Sequence, residues 1–324
     1  MRAVVLLGLF ALVQLAAATH YRGGTFYWER LGREKIRVYW RLAYQLTSSY
    51  PEYYCSHVGE RLQAETALIL DCPTCTTNQT ILSPLQMECV SISREMGWSI
   101  LQGHIDYYAD REIFRMNYHT IGSCTDSSWI QLQNYDSGKC WSLLTQVDTS
   151  MNNHSPRLTT GLPVYRVRQG CRRLIDLMPT DPDDDVIRCR WAADSKDECP
   201  PARDYNDKKR VCGQATDLTI LYGDKCLIQF DTDLNSRLGW YGASVMVEDF
   251  KNKKSTEAKS TVPYQFLLDV TELFRKCREV GPKALLSNTP NHRQLLLSKQ
   301  SSPSRVIKLV RMPSVSPPSM TTGK

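Results

Sequence analysis

The chain has 324 residues and a formal net charge of +6. A chain of that length holds about two domains of ordinary size with real cores. The charge is a property of one end: residues 278–324 hold eight Lys/Arg and only Glu279 against them, so that stretch carries +7 and the rest −1, which excludes a basic nucleic-acid-binding body.

In chain order, the first stretch, MRAVVLLGLFALVQLAAATH, has a positive start at Arg2, an apolar run from Val4 to Val13 and small residues Ala16–Ala18. That pattern predicts a signal peptide over 1–18 and a secreted, extracellular protein. No later apolar run is long enough for a membrane-spanning helix, so no membrane span is expected in the mature chain. The twelve cysteines are Cys55, Cys72, Cys75, Cys89, Cys124, Cys140, Cys171, Cys189, Cys199, Cys212, Cys226 and Cys277. In an oxidising compartment they read as disulfide partners, six in each half of the chain. Cys199–Cys212 is the best local pair.

GGTFYWERL reads as the first strand of a hairpin. In the second, Ile36, Val38, Trp40, Leu42 and Tyr44 alternate with Arg37, Tyr39 and Arg41, the period of a half-buried strand. Arg37, Tyr39 and Arg41 form a cationic-aromatic ladder that would suit acidic glycans; a solvated face or an inter-domain contact is the alternative. GERLQAETALIL (59–70) is the one helical expectation. Cys72-Pro-Thr-Cys75 is followed by a polar, non-helical stretch, so it reads as structural rather than redox-active. Asn78-Gln-Thr is a glycosylation sequon, and Asn153-His-Ser is a second, followed by Pro156. EIFRMNY and WIQLQNY read as strands. The polar, proline-containing DTSMNNHSPRLTTGL (148–162) places a domain junction between a β-rich domain over 19–150 and a second domain over 151–279.

Beyond the junction, strand patterns fall at 164–168, 172–177, 186–192, 217–222, 226–231, 240–248 and 262–270, with Gly223-Asp224 as a two-residue hairpin turn. Seven short strands fit an immunoglobulin-like sandwich with Trp191 as its core aromatic. Residues 280–324, rich in Ser, Pro and basic residues, read as a disordered tail. The fold class expected is all-β, with two disulfide-stabilised β-sandwich-type domains.

TDPDDDVIRCRW (180–191) concentrates four aspartates before a strand. An EF-hand loop starting at Asp181 would need Gly at its sixth position and Glu at its twelfth; Val186 and Ala192 stand there. A phosphotransfer aspartate would need parallel strands and helices, and the surroundings are β-patterned and cysteine-rich. A calcium-binding turn and a solvated acidic turn remain. The motif resembles the D-P-D-x-D turn of cadherin-like and dystroglycan-like modules. That resemblance implies calcium held by Asp181 and Asp183, by Asp249 in VMVEDF, by Asn152 and Asn153 in the linker, and by an acidic tripeptide matched by Asp110-Arg111-Glu112. The turn departs from the pattern at Asp184, where glycine is usual.

More widely, THYRGGTFYW, NNHSPRLTTGLPVYRVRQGC, DPDDDVIRCRWA, GWYGASVMVEDF and VPYQFLLDV resemble a family of secreted invertebrate proteins that begin THFRGG and carry DPDGD-type immunoglobulin- or cadherin-like modules. The resemblance spans about residues 19–270 and implies an adhesive or matrix-associated role. The six histidines are scattered, and no hydrolase or nucleotide-binding motif is present. The sequence therefore reads as a secreted, non-enzymatic protein that binds extracellular proteins or glycans. A glycan-recognition protein of the same architecture is the runner-up and a secreted hydrolase a distant third.

Overall fold

A computed structural model describes residues 21–46, 55–64, 68–71, 80–82, 85–109, 112–120, 129–134, 141–199, 211–272 and 277. The expected signal peptide, the tail, Asn78, Asp110, Arg111 and Cys72, Cys75, Cys124 and Cys140 lie outside these residues. The described chain is all-β. Its strands are β1 (Tyr21–Arg30), β2 (Lys35–Gln45), β3 (Arg61–Ala64), β4 (Leu68–Asp71), β5 (Thr80–Leu82), β6 (Leu85–Ser93), β7 (Trp98–Tyr108), β8 (Ile113–Thr120), β9 (Ser142–Asp148), β10 (Val164–Arg168), β11 (Arg172–Asp176), β12 (Val186–Trp191), β13 (Thr219–Tyr222), β14 (Leu227–Asp231), β15 (Gly239–Phe250) and β16 (Ser260–Thr271).

All seven strands expected after residue 162 are present, and they make a sandwich. One layer is β10-β16-β15-β12 and the other β11-β14-β13. This is the immunoglobulin arrangement with the first strand, β10, in the β16-β15-β12 layer, where it runs parallel to β16. Alternate residues of β15 (Tyr241, Ala243, Val245, Val247) and β16 (Val262, Tyr264, Phe266, Leu268, Val270) face β11 and β14 across a core with Ile175, Ile228 and Phe230. The Cys189–Cys226 bridge joins β12 to the residue before β14, and so ties the two layers. The Tyr241 hydroxyl donates to the Arg237 carbonyl, 2.8 Å away, closing a tyrosine corner at the start of β15.

The first half forms the other core, the first in chain order, on the opposite face of the same large sheet. The expected apolar face of β2 (Ile36, Val38, Trp40, Leu42, Tyr44) packs with Phe26 and Trp28 of β1 and with Phe114, Met116 and Tyr118 of β8. Because side chains alternate along a strand, β1 sends Phe26 and Trp28 into this core and Tyr27 into the other, while β16 sends Leu267 into it. β16 pairs with β1 at Gln265 and with β9 at Thr261, so one sheet crosses both halves. The described residues fall in one compact unit.

Several expectations are corrected. The helix expected over 59–70 gives strands β3 and β4 instead, because pairing with β6 and β8 outweighs local helix propensity. In WIQLQNY the described residues 129–134 form no strand: Trp129 and Leu132 make only isolated bridges to Tyr21 and Trp240. The β13–β14 connection is not a two-residue turn but a 3₁₀ turn (Gly223–Lys225) followed by Cys226 at φ 47°. Trp191 is half-buried at the margin of the second core rather than at its centre.

The 148–162 stretch, read as a junction, is largely pinned. The Ser155 hydroxyl accepts from the Trp28 amide at 2.8 Å and lies 2.9 Å from its carbonyl, and Asn153, Ser155, Pro156 and Leu158 are buried. Disulfides Cys55–Cys89, Cys171–Cys277, Cys189–Cys226 and Cys199–Cys212 account for the described cysteines, each within its own half as expected.

Candidate metal centre

The aspartate turn joins β11 to β12. Asp181 organises it: its Oδ1 accepts the amides of Asp183 (2.9 Å) and Asp185 (3.1 Å), the self-bonding for which aspartate is favoured in turns. Asp184 supplies the left-handed corner at φ 59°, where glycine is usual and aspartate is among the few tolerated substitutes. The linker lies alongside, because Arg157 and Thr180 exchange both backbone hydrogen bonds (2.8 and 3.0 Å). That pairing brings His154 onto Asp183, with its amide 2.6 Å from Oδ2 and its Nδ1 3.0 Å from Oδ1.

Asp249, on β15, is fully buried. Its Oδ1 accepts the amide (2.6 Å) and hydroxyl (2.7 Å) of Ser260, and its Oδ2 accepts Asn153 Nδ2 at 2.7 Å. Asp185 pairs with Lys259, the residue before β16. Asp181, Asp183 and Asp185 each present a carboxylate oxygen within 4.8 Å of the others. Burial raises the Asp181 carboxyl above its ordinary range. Burial also pushes Asp249 up to about 6, helped by the charge of Asp181 and opposed by the bonds from Asn153 and Ser260. Two buried oxygens here have no hydrogen-bond partner, Asp181 Oδ2 and Asn153 Oδ1.

Of the residues expected to hold calcium, Asp181 and Asp183 present oxygens close together, and Asp249 is bonded to Asn153. Asn152 does not join them. Neighbouring extended residues point opposite ways, and its exposed side chain accepts from Arg30 Nη1 at 3.0 Å. Asp185, Lys259 and His154 were not foreseen as members. Asp185 continues the alternation of Asp181 and Asp183, so the spacing alone could have indicated it. Burial of Asn153, with its amide nitrogen bonded to Asp249, is incompatible with a glycan on that nitrogen in the folded protein.

The ladder on β2 is engaged within the protein. Arg37 forks onto Asp106 (2.6 and 3.3 Å), holding that carboxyl well below the usual range. Tyr39 stacks on Tyr27, with ring centroids 5.0 Å apart, and donates to Glu29 at 3.1 Å. Arg41 donates to the Thr159 carbonyl.

No protein-family model matches the chain, and no curated protein is significantly similar to it. Among solved structures, tandem Ig repeats of Dlar are similar at 10% identity and a TM-score of 0.24, over 75% of this chain and 90% of that one. Tandem Ig domains of titin follow at 7% identity and a TM-score of 0.21, over 78% and 99% of the two chains. An endo-fucoidan hydrolase of glycoside hydrolase family 107 gives 10% identity and a TM-score of 0.23, over 73% of this chain and 34% of that one.

Proposed function

We propose that this protein is a secreted, non-enzymatic interaction protein whose acidic turn, linker and β15 hold a calcium ion that stiffens the surface joining the two cores. The observation that carries the reading is the cluster of Asp181, Asp183 and Asp185, with the Asp249–Asn153 pair beside it and unpartnered buried oxygens on Asp181 and Asn153. Of the clustered carboxylates only Asp185 is paired with an ammonium, and burial already disfavours ionisation of Asp181 and Asp249. A divalent cation would relieve both. The donors are hard oxygens, the set that calcium takes in groups of 6–8. Zinc prefers nitrogen and sulfur, and magnesium demands a tighter octahedron than a turn and a linker offer.

The described disulfides and the immunoglobulin-type sandwich support an extracellular setting. No described helix is long and apolar enough to cross a membrane. Extracellular proteins are the partners this reading favours. Glycan recognition through Arg37, Tyr39 and Arg41 has less support, since Arg37 is paired with Asp106, Tyr39 with Glu29 and Arg41 with the Thr159 carbonyl.

The test is thermal and chemical unfolding in EDTA and in ~10 mM calcium. At a dissociation constant of ~10⁻⁴ to 10⁻³ M, usual for extracellular modules, calcium should add about 1.4–2.7 kcal/mol. Magnesium should add little, and Asp183→Asn should abolish the gain. Equal stability with and without calcium would leave the aspartates as a solvated turn.

A further inference from the structure

Within this centre, one side chain is of the wrong sign for a calcium ligand. Lys259 enters at the end of the β15–β16 loop, where its backbone amide is fixed to the Asp249 carbonyl at 2.9 Å. Its ammonium is bonded to Asp185 Oδ2, and both side chains are largely out of solvent, 18% and 11% exposed. Asp185 is also one of the three aspartates whose oxygens lie within 4.8 Å of one another. The ammonium therefore shares a carboxylate with the position a metal would take. The cluster does more than gather acids: Asn153, fully buried, keeps an unpartnered Oδ1 beside its bond to Asp249, and Asp181 keeps an unpartnered Oδ2.

We propose that Lys259 is an affinity-setting residue, a tethered cation that competes with calcium for Asp185 and keeps the site weak. The inference rests on the calcium reading of the cluster and deepens it. Two effects act together. The ammonium takes one carboxylate from the ligand set, and calcium affinity in oxygen sites follows the number of charged ligands. It also places a positive charge a few ångströms from the ion in a partly buried setting, where Coulomb repulsion is poorly screened. In the metal-free protein the same ammonium offsets part of the crowded negative charge, so the turn can keep its shape without calcium. Lys259 thus makes the site adjustable: it folds without metal and tightens with it only at extracellular concentrations.

Calcium titration of the full chain by calorimetry, with unfolding in EDTA as the second readout, tests this in the wild type, Lys259→Met and Lys259→Arg. Lys259→Met keeps the length of the stem and removes the charge. It should bind calcium at least tenfold more tightly than wild type and melt lower in EDTA, because Asp185 then stands unpaired. Lys259→Arg keeps the charge and should stay within about threefold of wild-type affinity. Binding by Lys259→Met where the wild type shows none would support the proposal in its strongest form, with lysine in place of the metal. Equal affinity of wild type and Lys259→Met would overturn the role of Lys259 and leave the calcium site standing. Absence of binding in both would overturn the calcium reading and the role of Lys259 with it.

Discussion

Asp249 shows how one buried carboxylate couples the centre to pH. Its folded pKa of about 6 lies above the ordinary 3.8, so in the metal-free protein the folded state binds this proton more tightly than the unfolded state does. The sign follows from linkage: the group costs stability above pH ~6, and the cost is relieved as pH falls toward ~4. The full span is on the order of 3 kcal/mol. In EDTA, the difference in unfolding free energy between wild type and Asp249→Asn should change by that amount between pH 7 and pH 4, with wild type gaining at the acid end. A constant difference would mean that Asp249 titrates normally.

The residues of the centre were unevenly legible in the sequence. The Asp181–Asp183 spacing and the VMVEDF match could be read because turn chemistry and strand ends are local. Asn152 and Asn153 were named together, but in an extended segment neighbouring side chains point opposite ways, and Asn152 turns to Arg30. Lys259 carried no local signal. It reaches Asp185 only because β12 pairs with β15 from Val186↔Phe250 while β15 pairs with β16 from Asp249↔Ser260, two registers that place both residues at one end of the sheet.

At the scale of elements, the second sandwich was the most legible part of the chain. Its two longest strands, β15 and β16, have twelve residues each, and turn residues separate the shorter ones. The weak readings fall on short elements: β3 and β4 have four residues each and derive their structure from pairing with β6 and β8. The bridge between Cys189 and Cys226 is the element-scale feature that most directly holds the two layers together, and both sulfurs sit in the second core. Replacing the pair by alanines should cost ~2–5 kcal/mol, by loss of the cross-link and of packed volume. Urea unfolding of Cys189→Ala/Cys226→Ala measures it. A loss below ~1 kcal/mol would mean that the sheet contacts alone fix the layer spacing.

For the whole molecule, the decisive feature is that the two cores share strands. Phe26 and Trp28 of β1 belong to the first core and Tyr27 to the second, while Leu267 of β16 projects into the first core from a strand that otherwise lines the second. Side chains add to the seam: Gln265 Nε2 donates to the Ser142 carbonyl at 3.0 Å, Thr145 Oγ1 to that of Thr261 at 2.6 Å, and Asn134 Nδ2 to that of Gly242 at 2.9 Å. Opening one core therefore exposes strands of the other. The described chain should unfold in one cooperative step, with calorimetric and van't Hoff enthalpies equal. Phe26→Ala provides the sharper form of the test. Its ring stacks on Tyr118 in the first core, 5.6 Å between centroids, and its removal should cost about 3–5 kcal/mol. If the cores unfold together, hydrogen-exchange protection of the Val245–Phe250 amides of β15, on the stretch paired with β12, should fall by the same free energy. Two calorimetric transitions, with β15 protection unchanged in Phe26→Ala, would mean that the shared sheet is a contact between independent domains.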